Sequence, residues 1–217
     1  NLISGDVRKF EWKSSLCMCP MWSPKDNFCL IGIDSENGKQ NIGLVNLQGD
    51  FSHIQDVEGS ATFMWSPSGK HLALSENLDN ESGYYNNTYV IDTNSFSKEI
   101  LTSDPLLCMF WSPKGDQICY VTLSDKGYGS LRFAVSDLEG NITYLPDFKP
   151  SQMQLIAYMF FDQYSISHSP WSADGTRIIF SGLLGYEEDR TPLPTNEEVS
   201  IFQVESDHSS PWGRFCE

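Results

Sequence analysis

The sequence predicts an all-β fold assembled from repeated units, and three observations carry the prediction. Five of its six tryptophans recur at spacings of 43, 46, 60 and 41 residues. Four of them open one short phrase: Trp22-Ser-Pro-Lys-Asp, Trp65-Ser-Pro-Ser-Gly, Trp111-Ser-Pro-Lys-Gly and Trp171-Ser-Ala-Asp-Gly. The fifth, Trp212, follows Ser-Pro as Trp171 does, but Gly-Arg-Phe-Cys replaces the turn residues. Secondly, an apolar run of strand length follows each of the four phrases. Thirdly, no stretch longer than about ten residues keeps the helical period of ~3.6, apart from an ambiguous patch at 151–162. Self-similarity at roughly 40–45 residues marks a propeller or solenoid array, because each unit buries its apolar face only against its neighbours.

The elements follow in chain order. Val7-Arg-Lys-Phe-Glu-Trp reads as the last strand of a preceding unit. A first unit at about 16–59 then offers Cys29-Leu-Ile-Gly-Ile and Ile42-Gly-Leu-Val-Asn-Leu as its second and third strands. The unit at 60–104 is the clearest. Ser60-Ala-Thr-Phe-Met-Trp is a β-prone run that ends in a turn, where Pro67 fixes φ and Gly69 accepts a positive φ at little cost. His71-Leu-Ala-Leu-Ser, Tyr89-Val-Ile-Asp and Lys98-Glu-Ile-Leu-Thr complete four strands. Units at 105–165 and 166–208 repeat the grammar, with Ile118-Cys-Tyr-Val-Thr and Ile178-Ile-Phe-Ser as second strands. Their third strands are Leu131-Arg-Phe-Ala-Val-Ser and Val199-Ser-Ile-Phe-Gln-Val.

The Trp-Ser-Pro-x-Gly phrase followed by an apolar strand resembles the WD40-like repeat of TolB-type β-propellers. Similar blades occur in the propellers of prolyl-oligopeptidase-like enzymes and tricorn-type proteases. The resemblance covers about residues 15–217 and departs at Asp26-Asn27, where Asp-Gly is usual, and at Ala173, which replaces Pro. It implies a single β-propeller domain over 1–217, built of four-stranded blades. About four complete blades with partial blades at both ends are expected, drawn from the family's usual ring of six or seven. Asn1 at the start and a stop inside a repeat fit a piece of a larger ring. The alternative is a four-bladed ring closed by the two end pieces. The resemblance implies no catalytic residues, since a fold does not carry a function with it.

Composition excludes several classes. No apolar run approaches the ~20 residues that a membrane-spanning helix needs. The net charge of −15, with 14 Lys and Arg against 29 Asp and Glu and no basic cluster, argues against a nucleic-acid partner. The six cysteines are Cys17, Cys19, Cys29, Cys108, Cys119 and Cys216. Cys19 and Cys108 each stand three residues before a repeat tryptophan, and Cys119 occupies a strand position filled elsewhere by Ala73 and Ile179. Such interchange with small and apolar residues predicts buried, unbridged thiols. No CxxC is present to begin a zinc site.

Candidate chemistry is sparse. G-x-S-x-G, the nucleophile elbow of the peptidases that carry such propellers, does not occur. Asp162, Ser165, Ser167 and His168 crowd seven residues, but local crowding is not triad geometry. The four histidines (His53, His71, His168, His208) have no metal-ligand spacing, and the Asp34 and Ser124 loops resemble Ca²⁺ loops only loosely. No catalytic residue, metal or cofactor is expected. Asn80, Asn86 and Asn141 head N-x-[ST] sequons, the first two in one accessible loop.

The informative irregularity is the spacing of 60 between Trp111 and Trp171. It leaves an insertion, Lys149 to Tyr164, rich in Met and aromatics, residues favoured at protein interfaces. Two readings stand side by side: Tyr158, Phe160, Phe161 and Tyr164 contact a partner, or they cover the propeller's core. Up-and-down topology places the segment 145–168, which holds the insertion, on one face with the loops 34–40, 76–88, 124–130 and 183–198. That face holds a net −9 of the chain's charge. A partner touching it is expected to present a basic surface.

The function expected is a non-catalytic propeller acting as a protein-interaction or structural subunit of a larger assembly. One alternative is the substrate-gating propeller of a prolyl-oligopeptidase-like hydrolase. The other is an acidic face that binds a small ligand or ion. An extracytoplasmic or organelle-lumen setting is implied only by the resemblance to TolB.

Overall fold

The phrases at Trp65, Trp111 and Trp171 each fold into a tight hairpin, and the serine closes the turn. In the phrase at Trp111, the Ser112 N–H donates to the Gln117 carbonyl at 2.9 Å, and the Gly115 N–H donates to the Ser112 carbonyl at 2.9 Å. The Ser112 hydroxyl donates to Asp116 Oδ1 at 2.7 Å and accepts from the Gly115, Asp116 and Gln117 N–H groups. Ser66 and Ser172 repeat the device, accepting from the His71 and Arg177 N–H groups. Gly69, Gly115 and Gly175 hold φ between 72° and 75°, where a side chain would be strained.

The computed structural model describes residues 3, 5–11, 20–25, 28–34, 39–77, 83–125, 130–184 and 199–203. The expected positions at Cys17, Cys19, Asn80, Trp212 and Cys216 lie outside them, as do most of loops 34–40, 124–130 and 183–198. By its internal contacts the chain divides into two units, residues 1–60 and 61–217.

In the first unit, β1 (Met21–Trp22), β2 (Cys29–Asp34), β3 (Gln40–Val45) and β4 (Phe51–Val57) form one antiparallel sheet in chain order. Leu30, Ile42, Leu44, Val45 and Val57 are its buried apolar side chains among the described residues. Asn46 closes the β3–β4 turn, its side-chain oxygen accepting from the Gln48 and Asp50 N–H groups at 2.9 Å each. Residues 5–11 form no strand, contrary to expectation. Arg8 donates instead to the Leu47 carbonyl at 2.9 Å, and the Phe10 ring lies against Gly49, where no Cβ would fit. The segment is thus held on a turn rather than on a sheet edge.

The second unit begins with β5 (Ser60–Trp65), β6 (His71–Asn77), β7 (Asn86–Asp92) and β8 (Lys98–Thr102), again antiparallel and in chain order. Then come β9 (Leu106–Trp111), β10 (Gln117–Leu123), β11 (Leu131–Asp137), β12 (Ile142–Pro150), α1 (Gln152–Met159), α2 (Phe161–Tyr164), β13 (Arg177–Leu184) and β14 (Val199–Gln203). Apart from the run that starts at Val7, the β-prone runs read from the sequence thus form strands, with ends shifted by a few residues.

β9 to β14 make one continuous six-stranded sheet, because the end of β12 pairs with the end of β13: Phe148 with Leu184, Lys149 with Leu183, Pro150 with Gly182. Gly182 makes this pairing possible, since a Cβ there would stand 2.1 Å from the Lys149 carbonyl oxygen. The core between these elements is aromatic. Phe148 stacks on Phe133 at 4.8 Å and meets Phe180 at 4.7 Å, with Ile118, Tyr120 and Ile178 fully buried beside them.

The tryptophans tie successive repeats together in this unit. Trp111 Nε1 donates to the Met64 carbonyl at 2.9 Å, and Trp171 Nε1 donates to the Phe110 carbonyl at 3.1 Å. Each acceptor is the residue immediately before the preceding repeat's tryptophan. Gly115 also packs on Pro67, and Gly175 on Pro113. Trp65, Trp111 and Trp171 are buried, whereas Trp22 is 61% exposed. Trp171 departs in another way: it makes a single bridge with Ile178 and does not end a strand.

Candidate functional site

The site is built on the insertion, which folds as two short helices. Pro150 ends β12, and Ser151, with φ −63° and ψ 161°, caps α1 by accepting from the Gln154 N–H at 3.2 Å. β13 holds this cap in place. The Ser151 N–H donates to the Ser181 carbonyl at 2.8 Å, the two serine hydroxyls lie 3.0 Å apart, and the Ser181 N–H donates to Gln154 Oε1 at 3.3 Å. Gln, Met, Leu and Ala favour a helix once it is anchored. The ambiguous patch at 151–162 is therefore helical, and it packs on β9, β12 and β13. In this place the fourth repeat has no full first strand, only the Trp171 bridge.

The four aromatics proposed from sequence divide between two faces. Tyr158 and Phe161 point inward and are buried. Tyr158 lies 6.4 Å from Phe110 and 6.1 Å from Phe133 by ring centroid; Phe161 lies 6.3 Å from Phe110 and 6.2 Å from Tyr85. These two pack in the core of their own chain, as the core-covering reading of the insertion expects of them. Phe160 and Tyr164 are exposed. Three residues that the sequence reading left aside join them: Met153 at 72% exposure, Met159 at 62% and Ile156. Ile166, 97% exposed, follows. Their signal is the i, i+3, i+7 spacing of Met153, Ile156 and Phe160, which puts three apolar side chains on one helical stripe.

No charge occurs between Pro150 and Phe161. Asp162 is the nearest carboxylate, close enough to Tyr85 to add to the burial that raises the pKa of that phenol. Burial pushes the Tyr158 hydroxyl well above its ordinary range, with the Cys108 and Cys119 thiols adding to the effect. Both thiols are themselves raised by burial and unbridged, as their repeat positions predicted; Cys29 is unbridged and half-buried.

The crowded Asp162–His168 stretch makes no relay. Ser167 and His168, adjacent in sequence, touch through Oγ and Nδ1 at 2.9 Å, Tyr164 meets the imidazole edge-on, and no carboxylate joins them among the described residues. Nor do three or more metal-ligating side chains converge among the described residues. Asn86 lies in β7 rather than in an open loop, and the Asn141 amide is tied to Asp137 at 2.8 Å.

Some of the acidic side chains near these elements are internally matched. Arg132 pairs with Asp125 and lies 3.3 Å from Asp147. Glu76 is buried, whereas Asp162 is exposed beside the helices. A second polar cluster, missed in the sequence, gathers at Asp104, whose carboxylate accepts from the Tyr120 hydroxyl at 2.9 Å and the Tyr144 hydroxyl at 2.7 Å. It fastens the β8–β9 connection to β10 and β12. The bond to Asp104 is also the chief cause that raises the Tyr144 pKa.

No protein-family model matches the chain, and no curated protein matches it by sequence. Among solved structures it is similar to a eukaryotic initiation factor, with 14% identity and a TM-score of 0.55 over 86% of this chain and 40% of that one. It is also similar to the β-propeller domain of the Trilobed protease from Pyrococcus furiosus, with 14% identity and a TM-score of 0.52 over 88% of this chain and 56% of that one. TolB from Acinetobacter baumannii aligns over 87% of this chain and 41% of its own, at 17% identity and a TM-score of 0.47. The chain thus spans about two fifths to just over half of these three structures. At such identities a likeness speaks for the fold alone. Together with the in-register Trp phrases and the antiparallel sheets, the first two likenesses show that the chain is folded as a β-propeller.

Proposed function

We propose that this chain is a non-catalytic propeller that serves as a protein-interaction or structural subunit of a larger assembly, with the outer face of α1 and α2 as its docking surface. The observation that carries the reading is the apolar row Met153, Ile156, Met159, Phe160 and Tyr164, left exposed on helices whose inner face already completes the core. A helix that only filled the core would gain nothing from an apolar outer stripe, and contiguous exposed apolar patches mark interaction sites. Met and aromatics adapt to a partner's shape at low entropic cost. The scaffold beneath is rigid, hydrogen-bonded sheet, the usual setting for a binding surface.

The test is Met153→Ser/Ile156→Ser/Phe160→Ser, with the variant expressed in place of the native chain and its complexes sized by sedimentation. The native chain should travel in a larger complex. The variant should travel alone, with an unchanged circular dichroism spectrum. A variant that still assembles would place the interface elsewhere. The gating alternative draws on the Pyrococcus furiosus protease propeller. A hydrolase domain in the same polypeptide would favour it.

A further inference from the structure

The occupant of this face can be narrowed by what the surrounding backbone offers. Resting on the docking reading above, we propose that α1 and α2 receive an amphipathic helix of a partner protein, with an apolar stripe flanked by Lys or Arg. An extended peptide adds to a sheet through unpaired backbone groups, and the strand segments that meet α1 offer no open edge among the described residues. The end of β12 is paired on both sides, with β11 and β13; β13 is paired with β14; and β9, the edge strand, is buried along its whole length. What remains exposed is a ridge. Met153, Ile156 and Phe160 span seven helical steps, about 10 Å at ~1.5 Å per residue. A ridge of that length seats two to three turns of another helix, packed ridge into groove.

Charge selects the flanks. Residues 150–168 contain no Lys or Arg, and Asp162 stands exposed at the end of the ridge. The chain carries −15 overall, so a helix with acidic flanks is repelled, as is a second copy of this chain, whereas a basic one is drawn in.

The probes are two fluorescent 18-residue amphipathic peptides with the same leucine stripe, one flanked by Lys and the other by Glu. Each is titrated by anisotropy against the native chain, Met153→Ser/Ile156→Ser/Phe160→Ser, and Asp162→Asn. The Lys peptide should bind at least about tenfold more tightly than the Glu peptide at low salt, with the gap narrowing as salt screens it. The triple variant, its charge unchanged, should lose at least about tenfold in affinity for the Lys peptide, and Asp162→Asn should shrink the Lys-over-Glu preference. Equal binding of both peptides, abolished in the triple variant, would overturn the basic flank and leave the docking surface standing. Lys-peptide binding that the triple variant retains would be mere attraction to an acidic protein, and would overturn the site. Binding of neither peptide would overturn the helical occupant, while the sedimentation test above still judges the surface itself. A native dimer that the triple variant dissolves would make the occupant a second copy and overturn the proposal. Phe160→Ser alone repeats each comparison if the triple variant fails to fold.

Discussion

Replacing Tyr158 with Phe should make this protein more stable. The ring is 1% exposed and meets Phe110 and Phe133, so the aromatic body is part of the core. Its hydroxyl oxygen is sealed from solvent and has no hydrogen-bond partner among the described residues. A buried polar group in that state costs about 1–3 kcal/mol. Tyr158→Phe keeps the ring and removes the penalty, so the unfolding free energy should rise by about 1 kcal/mol or more. Against a domain's usual total of ~5–15 kcal/mol this is easily measured. With a urea m-value near 2 kcal/mol/M, the midpoint should move up by about 0.5 M at unchanged m. Tyr158→Ala provides the contrast, since losing the ring and leaving a cavity should cost about 3–5 kcal/mol. A Phe variant destabilised by about 1 kcal/mol or more would refute the reasoning. The hydroxyl would then be bonded in the fold, with the sulfurs of Cys108 and Cys119 as the neighbouring acceptors.

Stability should also fall as pH climbs through the alkaline range. Cys108, Cys119, Tyr120 and Tyr158 all titrate above their ordinary values of 9.0 and 10.0, chiefly through burial, so the folded chain keeps protons that the unfolded chain sheds. Their contribution is complete below about pH 9 and is lost above it, which thermal midpoints from pH 7 to 11 would show; a flat profile would contradict the burial of these groups. Trp111→Phe should cost about 1–3 kcal/mol in urea unfolding, because it removes the Nε1 donor and strands the Met64 carbonyl, and a neutral result would mean that the tie between repeats carries no energy. Gly182→Ala should cost upward of about 2 kcal/mol, since the new Cβ would collide with the Lys149 backbone. The same change should weaken the Ser151 cap that β13 supports, visible as lost helical signal; a stable variant with intact α1 would show that the β12–β13 pairing is dispensable.

What was legible in the sequence was local and repeated. The Trp phrase announced itself because one hairpin needs Ser, Pro and Gly within five residues, and because Trp111 and Trp171 recur where an indole must reach the previous repeat's carbonyl. The turns between third and fourth strands were also legible in principle and were missed. Asn46, Asp92 and Asp137 each accept backbone N–H groups two to four residues ahead, a signature of an Asx turn that recurs at one place in three repeats. The β12–β13 pairing could not be read, since it joins residues more than 30 apart and leaves only Gly182 as its mark. The helices escaped a firm reading for a different reason. Apolar residues on both faces of α1 blur the 3.6-residue period that separates a buried side from a wet one.

That blurred period is itself the functional signal. The two readings of the insertion, core cover and partner surface, exclude each other only if the four aromatics act as one cluster. A helix divides them by geometry. Successive residues such as Phe160 and Phe161 leave the backbone about 100° apart, so one is drawn inward while its neighbour is turned out. Tyr158 and Phe161, three apart, share the face that meets Phe110, and Met153, Ile156 and Phe160 share the other. The inner face compensates for the strand that the fourth repeat lacks, and this alone accounts for a helix in an otherwise all-β chain. It does not account for the outer stripe, where Ser, Lys or Glu would have served the fold equally well. Six exposed apolar side chains over fourteen residues, with one carboxylate among them, therefore ask for a cause outside the fold, and this is the ground on which the docking surface is proposed.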